Sequence, residues 1–188
     1  MSRRHLRPAT RAAVRAAIER NSDDLLAYFE RRVEIKADAA DLLSETMLQA
    51  WRRADALPAE DHVEQRMWLY AVARNVLSNH RRTSSRRAAL VDRLHQRLGT
   101  ASLRDSATSD PADAVAVRDA INRLPPQQRE LILLVHWDGF TIAHAARLTD
   151  VNASTARGRY AAARAALKLL LDDGADDPFQ IARRLTPS

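Results

Sequence analysis

The sequence has no cysteine, four glycines in 188 residues, and an aromatic content of only 5%. Without cysteine there is no disulfide framework and no thiolate metal site. His5, His62, His80, His95, His136 and His144 never fall at paired ligand spacing, so the sequence offers no structural zinc and no metal or other cofactor is expected. No apolar run approaches the roughly 20 residues that span a bilayer. Residues 1–10 are basic but lack the apolar core of a signal peptide, which predicts a cytoplasmic protein without membrane attachment. The motifs G-x-x-x-x-G-K and G-x-S-x-G are also missing, so nothing points to a phosphate-cradling loop or an activated serine.

Acidic residues are missing locally. None lies between Arg66 and Arg87, a stretch that carries Arg74, Arg81, Arg82 and Arg86 behind Trp68 and Tyr70. Arginine neutralises phosphate and an aromatic ring stacks on an unpaired base, worth about 1–3 kcal/mol per base in single-strand binders. A second stretch, residues 151–171, also lacks acids while carrying Arg157, Arg159, Arg164 and Lys168. The net charge of +6 is uneven: up to Leu98 there are 19 Lys and Arg against 13 Asp and Glu, and 11 of each follow. Two basic patches on separate halves suit a polyanion.

Alanine, leucine and arginine dominate the composition, and all three favour helix, which predicts an all-α protein. Val14 and Ile18, then Leu25, Leu26, Phe29 and Val33, predict two amphipathic helices with Ser22 or Asp23 as the second N-cap. Residues 38–53 predict another, with an apolar stripe of Leu43, Met47, Ala50 and Ala54 and with Leu42, Thr46 and Trp51 at its flanks, Trp51 being assigned to the core. Its other side carries Asp38, Asp41, Glu45 and Gln49 at i, i+3, i+7 and i+11, an acidic and polar ridge. Residues 55–64 read as a loop. A helix over residues 65–82 follows, with Leu69, Val72, Ala73, Val76 and Leu77 inward and Arg74, Asn75, Ser78, Asn79, Arg81 and Arg82 outward. A short separate helix is predicted over residues 86–98.

This organisation predicts two small helical domains: residues 1–98, a linker at 99–111, a second domain at 112–171, and an acidic tail at 172–188. In the second domain Pro126 opens a helix, Gly139 stops it, Thr141 caps a short helix to Leu148, and residues 149–152 turn into a long helix. That helix is read with Ala156, Tyr160, Ala163, Leu167 and Leu170 inward and with Ser154, Arg157, Arg164 and Lys168 outward. The spacing is that of a helix-turn-helix, which would present Ser154, Thr155, Arg157 and Arg159 to base edges and Arg164 and Lys168 to phosphate. Gly158 interrupts the helix at a cost of about 1 kcal/mol relative to alanine. It serves either a close backbone approach or nothing. A plain helical bundle with solvated basic faces gives the same periodicity. The ridge of Asp38, Asp41 and Glu45 has no burial or pocket to separate carboxylate pKa values, so it reads as a docking face or a solvated helix side, not an acid and base pair.

Three motifs carry a family resemblance. Residues 38–51, DAADLLSETMLQAW, resemble region 2.2 of the sigma-70 superfamily in its short extracytoplasmic-function (ECF, group 4) members. Residues 68–82, WLYAVARNVLSNHRR, resemble regions 2.3 to 2.4, with Asn79 where an aspartate is usual. Residues 124–141, LPPQQRELILLVHWDGFT, resemble the start of region 4, and Asp150 stands in the turn where a glycine is usual.

The resemblance implies a sigma factor that is not an enzyme. Its partners would be core RNA polymerase, through the beta-prime clamp helices and the beta flap, promoter DNA, and an anti-sigma factor. It implies docking of the clamp helices on Asp38, Asp41, Leu42, Glu45 and Gln49. Minus-ten contacts would come from Trp68, Arg74, Asn75, Ser78, Asn79, Arg81 and Arg82, with the loop at 55–65 walling a flipped base. Minus-thirty-five contacts would come from Ser154, Thr155, Arg157, Arg159, Arg164 and Lys168. Two other classes remain open on the residues alone: an autonomous helix-turn-helix regulator acting without polymerase, and a protein-binding decoy that never touches DNA.

Overall fold

The computed structural model describes residues 8–59, 61–98 and 112–171; the expected linker at 99–111 and the acidic tail at 172–188 lie outside the described residues. The chain divides between Ser106 and Ala107 into two compact units. Among the described residues all regular structure is helical: α1 Pro8–Glu30, α2 Lys36–Arg52, a 3-10 turn Ala54–Ala56, α3 His62–Leu98, α4 Ala112–Arg123, α5 Pro126–His136, α6 Ile142–Thr149 and α7 Ala153–Leu171.

In the first unit α1, α2 and the first half of α3 enclose a core of Val14, Ala17, Leu25, Tyr28, Phe29, Leu69, Tyr70, Ala73 and Leu77. The two helices expected between residues 14 and 33 are one. Of the two residues expected to cap a break, Ser22 bonds backwards instead, its Oγ donating to the Glu19 carbonyl at 3.3 Å, and the preceding Asn21 does the same, its Nδ2 donating to the Ala17 carbonyl at 2.7 Å. At its C-terminal end Arg32 Nη1 donates to the Tyr28 carbonyl at 3.0 Å and the guanidinium lies 3.8 Å from the Tyr28 ring centroid.

On α2 the buried residues are Ala39, Leu42, Thr46 and Ala50. The stripe is thus rotated from the expected Leu43 and Met47, which are only half-buried. Small residues set it, because they let a neighbouring helix approach closely, and Thr46 returns its hydroxyl to the Leu42 carbonyl at 2.7 Å. The rotation puts Trp51 at 38% exposure, outside the core to which it was assigned.

Helix α3 is capped by Asp61, whose Oδ1 accepts from the amides of Val63 at 2.8 Å and Glu64 at 3.2 Å. The loop before it is held by Gln65, which is buried: its Nε2 donates to the Pro58 carbonyl at 3.1 Å and its Oε1 accepts from Arg20 at 2.8 Å. Instead of stopping near Arg82 and restarting at Arg86, α3 runs unbroken. It has no glycine or proline, and Thr83 folds its hydroxyl onto the Asn79 carbonyl at 3.0 Å rather than capping a new start.

The second unit closes α4, α5 and α7 around Val117, Ala120, Ile121, Leu124, Ile132, Leu133, Ala163 and Leu167. Leu170, expected inward, is 42% exposed, while its neighbour Leu171 packs against this core instead. Arg129 on α5 donates to the Asn122 carbonyl at 2.7 Å and that of Leu124 at 3.3 Å, closing the last turn of α4. Gly139 has φ +68, as expected of a helix stop. Asp150 takes the left-handed conformation between α6 and α7, with φ 57 and ψ 47. That conformation costs a bulky or branched residue about 1–2 kcal/mol and aspartate less. Asp150→Val is therefore expected to destabilise the second unit by about 1–2 kcal/mol while Asp150→Gly does not, as read by hydrogen exchange of the α6 amides.

Candidate nucleic-acid interface

The rotation of α3 about its own axis decides which side chains are available. Burial of Met67, Leu69, Tyr70, Val72, Ala73, Val76 and Leu77 turns Asn75, Ser78, Asn79 and Arg82 to solvent, with Arg74 half-buried beside them. Trp68, Asn75, Asn79 and Arg82 fall at i, i+7, i+11 and i+14 and so share one stripe. Trp68 is half-buried, with part of its ring open. Arg82 Nη2 donates to Asn79 Oδ1 at 2.5 Å, a bond that an aspartate at this position would replace with an ion pair. With the neutral amide the guanidinium keeps its full charge toward solvent.

Two arginines of this acid-free stretch point elsewhere. Arg66 pairs with Asp24 at 3.0 Å, approaches the Tyr70 hydroxyl at 3.3 Å and lies 4.9 Å from that ring's centroid, so it ties α3 to α1. Arg81, although exposed, reaches the Arg32 carbonyl at 3.4 Å. Tyr70 is fully buried against Tyr28, ring centroids 5.3 Å apart and nearly perpendicular. It offers no surface to a base.

The ridge on α2 is less uniform than its spacing suggests. Asp41 and Glu45 are exposed, and Gln49 donates to Glu45 Oε1 at 2.7 Å. Asp38 is half-buried, with its Oδ2 3.6 Å from His80 Nε2 on α3. Leu42, expected on the docking face, is 6% exposed and belongs to the core. Sequence reasoning missed Leu48 and Trp51, 44% and 38% exposed, which flank Asp41 and Glu45 as an apolar border. The signal was available: both fall on the side of α2 opposite Ala39, Thr46 and Ala50.

In the second unit Thr141 caps α6, its Oγ1 accepting from the His144 amide at 3.1 Å. After the turn Asn152 caps α7, a role the sequence reading left unassigned. Its Oδ1 accepts from the Thr155 amide at 2.7 Å and the Ser154 hydroxyl at 2.8 Å. Ser154, in the first turn of α7, therefore commits its hydroxyl proton to Asn152. Arg157, Arg164 and Lys168 are exposed at i, i+7 and i+11, one flank of α7, whereas Arg159 is half-buried on the other. His136 on α5 stacks on Tyr160 of α7, rings 5.8 Å apart at 14°, with Nε2 and the phenol oxygen 2.8 Å apart. This contact, also unforeseen, fixes the rotation of α7.

Gly158 lies between Ser154 and Ala161 on the outward face, and a Cβ built there meets nothing within 4 Å. No packing among the described residues asks for glycine. Gly158→Ala is expected to stabilise the second unit by about 0.5–1 kcal/mol in denaturant unfolding. If the missing Cβ serves close approach of a partner backbone, the same variant loses affinity for that partner.

The described residues hold no group of three or more His, Asp or Glu suited to a metal, and no described helix is long and apolar enough to cross a membrane. Residues 17–87 match the family model for sigma-70 region 2 and residues 114–167 that for sigma-70 region 4. The chain is 34% identical to the ECF RNA polymerase sigma factor BldN of Streptomyces coelicolor, covering 81% of this chain and 58% of that protein. It is 33% identical to SigM of Mycobacterium tuberculosis, over 71% of this chain and 64% of that one. It thus spans less than two thirds of either relative's length. SigL of Mycobacterium tuberculosis is 26% identical, with 88% of this chain and 92% of that one covered. Among solved structures, the sigma factor RpoE of Bartonella quintana, in complex with the anti-sigma factor NepR, has a TM-score of 0.67 at 23% identity, covering 86% of this chain and 98% of that one. CnrH, in complex with the cytosolic domain of CnrY, has a TM-score of 0.62 at 22% identity, covering 87% and 90%.

Proposed function

The chain belongs to the sigma-70 superfamily, among its extracytoplasmic-function members, and from that membership we propose that it is a dissociable promoter-specificity subunit of RNA polymerase. It docks on the core enzyme, reads the minus-thirty-five element as duplex, and holds the opened minus-ten strand. The polymerase makes and breaks the bonds. The observation that carries this reading is the outward stripe of α3, where Trp68, Asn75, Asn79 and Arg82 offer a stacking surface, amide donors and acceptors, and a cation along one helix side.

Each face has a physical role in this scheme. Arg74 and Arg82 neutralise phosphate, Asn75, Ser78 and Asn79 bond to exposed base edges, and the open part of Trp68 stacks. Arg81, with its guanidinium near the Arg32 carbonyl, steadies α3 and adds positive potential. In the second unit Ser154, Thr155 and Arg157 lead into the major groove, Arg164 and Lys168 follow along phosphate, and Arg159 approaches from the opposite flank. On α2, Asp41, Glu45 and Gln49 with Leu48 and Trp51 form the polymerase-facing side, acids for a basic partner and an apolar border to desolvate them. Asp38 contributes at its edge. A cytoplasmic setting and an anti-sigma regulator, of the kind seen bound to RpoE, complete the proposal.

Run-off transcription with core polymerase and a promoter library tests the reading: specific initiation is expected only when the chain is added, and its absence refutes the proposal. Co-elution with core enzyme is expected as well, which an autonomous regulator does not show. The double variant Asp41→Lys, Glu45→Lys, at two exposed positions, is expected to keep the fold by circular dichroism while weakening core binding by at least about 10-fold in gel filtration or fluorescence titration.

A further inference from the structure

We propose that the acidic tail, residues 172–188, docks on α7 of its own chain and competes with the promoter duplex for that helix; the competition, though not the docking, rests on the minus-thirty-five reading above. Helix α7 presents two exposed sides. One is the cationic flank of Arg157, Arg164 and Lys168. Beside it, rotated by about 100°, run Ala162, Ala165 and Leu169 at i, i+3 and i+7. Leu169 is 79% exposed, the most open of the large apolar side chains among the described residues. A phosphate backbone gains nothing from that leucine, so a partner that fits both sides carries acids and apolar groups together.

The tail, which lies outside the described residues, has that composition. Its sequence opens on Asp172, Asp173, Asp176 and Asp177 and continues with Phe179, Ile181 and Leu185. The first acids follow Leu171 directly, at the negative end of the helix macrodipole, where a carboxylate is disfavoured unless a cation answers it. Residues 151–171 hold no acid of their own and supply those cations. The reach is sufficient: Lys168 and Arg164 stand about 4.5 and 10.5 Å before Leu171 along the axis, whereas the six residues to Asp177 extend to as much as about 20 Å. A reversal at Gly174, the one glycine of the tail, brings Phe179 back to the level of Leu169 and Ala165. Tethering selects this occupant over a separate acidic protein, because a segment joined at Leu171 meets α7 at an effective concentration in the millimolar range.

The test has two readouts on the full chain. Without DNA, hydrogen exchange of the α7 amides from Ala161 to Leu171 is expected to be at least about 3-fold slower in the wild type than in Phe179→Ser, at every protein concentration. No difference overturns the docking, and protection that rises with concentration assigns the surface to a second copy and overturns it too. With holoenzyme and a promoter duplex, Phe179→Ser and the fourfold change Asp172→Asn, Asp173→Asn, Asp176→Asn, Asp177→Asn are each expected to tighten binding by about 5- to 10-fold, the factor for a competitor seated about 80–90% of the time. Phe179 carries no charge, so tighter binding with the asparagines alone means repulsion through solvent and overturns the docking. Slower exchange with unchanged affinity in both variants overturns the competition. Absence of specific initiation by the wild-type holoenzyme counts against the parent reading instead, and the exchange result then decides the docking by itself.

Discussion

The packing of Tyr70 against Tyr28, itself edge-on to Phe29 at 5.2 Å, sets the rotation of α3, and most of what the first unit presents follows from that angle. Each fully buried aromatic or aliphatic side chain contributes about 1.5–3 kcal/mol, and each edge-to-face pair about 0.5–1.5 more. Rolling α3 by one residue would expose Tyr70 and press Arg74 or Asn75 into the core, where an unpaired cation costs several kcal/mol. The apolar side therefore decides the polar one. Asn75, Asn79 and Arg82 are available because Val72, Ala73, Val76 and Leu77 are not.

The second unit reaches the same end by different means. Its long helix is only partly held by the core, through Ala156, Ala163 and Leu167, and small residues resist rotation poorly. Side-chain bonds make up the difference. Asn152 fixes where α7 starts, Asp150 fixes the angle at which the chain enters it, and the stacked pair His136 and Tyr160 holds it against α5. Each of these contacts is worth about 0.5–2 kcal/mol alone. Together they orient the exposed flank of Arg157, Arg164 and Lys168.

What was legible in the residues was mainly periodicity and chain stops. The all-helical class, the Pro126 start, the Gly139 stop and the Thr141 cap all follow from local chemistry and are found in place. What was not legible depends on neighbours. Ser22 and Asp23 have the composition of a helix boundary, yet Val14, Leu25 and Phe29 are all buried along one continuous α1. The stripe on α2 was misplaced by one residue step, because large apolar side chains attract attention while the close packing is made by Ala39, Thr46 and Ala50. Leu42 and Trp51 exchanged sides with it. The break expected between Arg82 and Arg86 had only Thr83, Ser84 and Ser85 to mark it, and hydroxyl side chains bond back into a helix as readily as they cap one.

Arginine shows the same limit in a form that bears on function. The sequence counts all arginines alike, but the structure divides them. Arg32, Arg66 and Arg129 are committed to carbonyls, a carboxylate or a ring inside the fold, and Arg81 leans on the end of α1. Arg82 and Arg86 face outward on one stripe, and Arg157 on another helix. Only cations of the second kind are placed to displace counterions from a polyanion, so net charge overstates the attraction a face can offer while saying nothing about its direction. The working quantity is the number of arginines that a helix face aligns. That number is set by the apolar residues on the opposite face, which is why a core of tyrosine, leucine and alanine determines where a polyanion can lie.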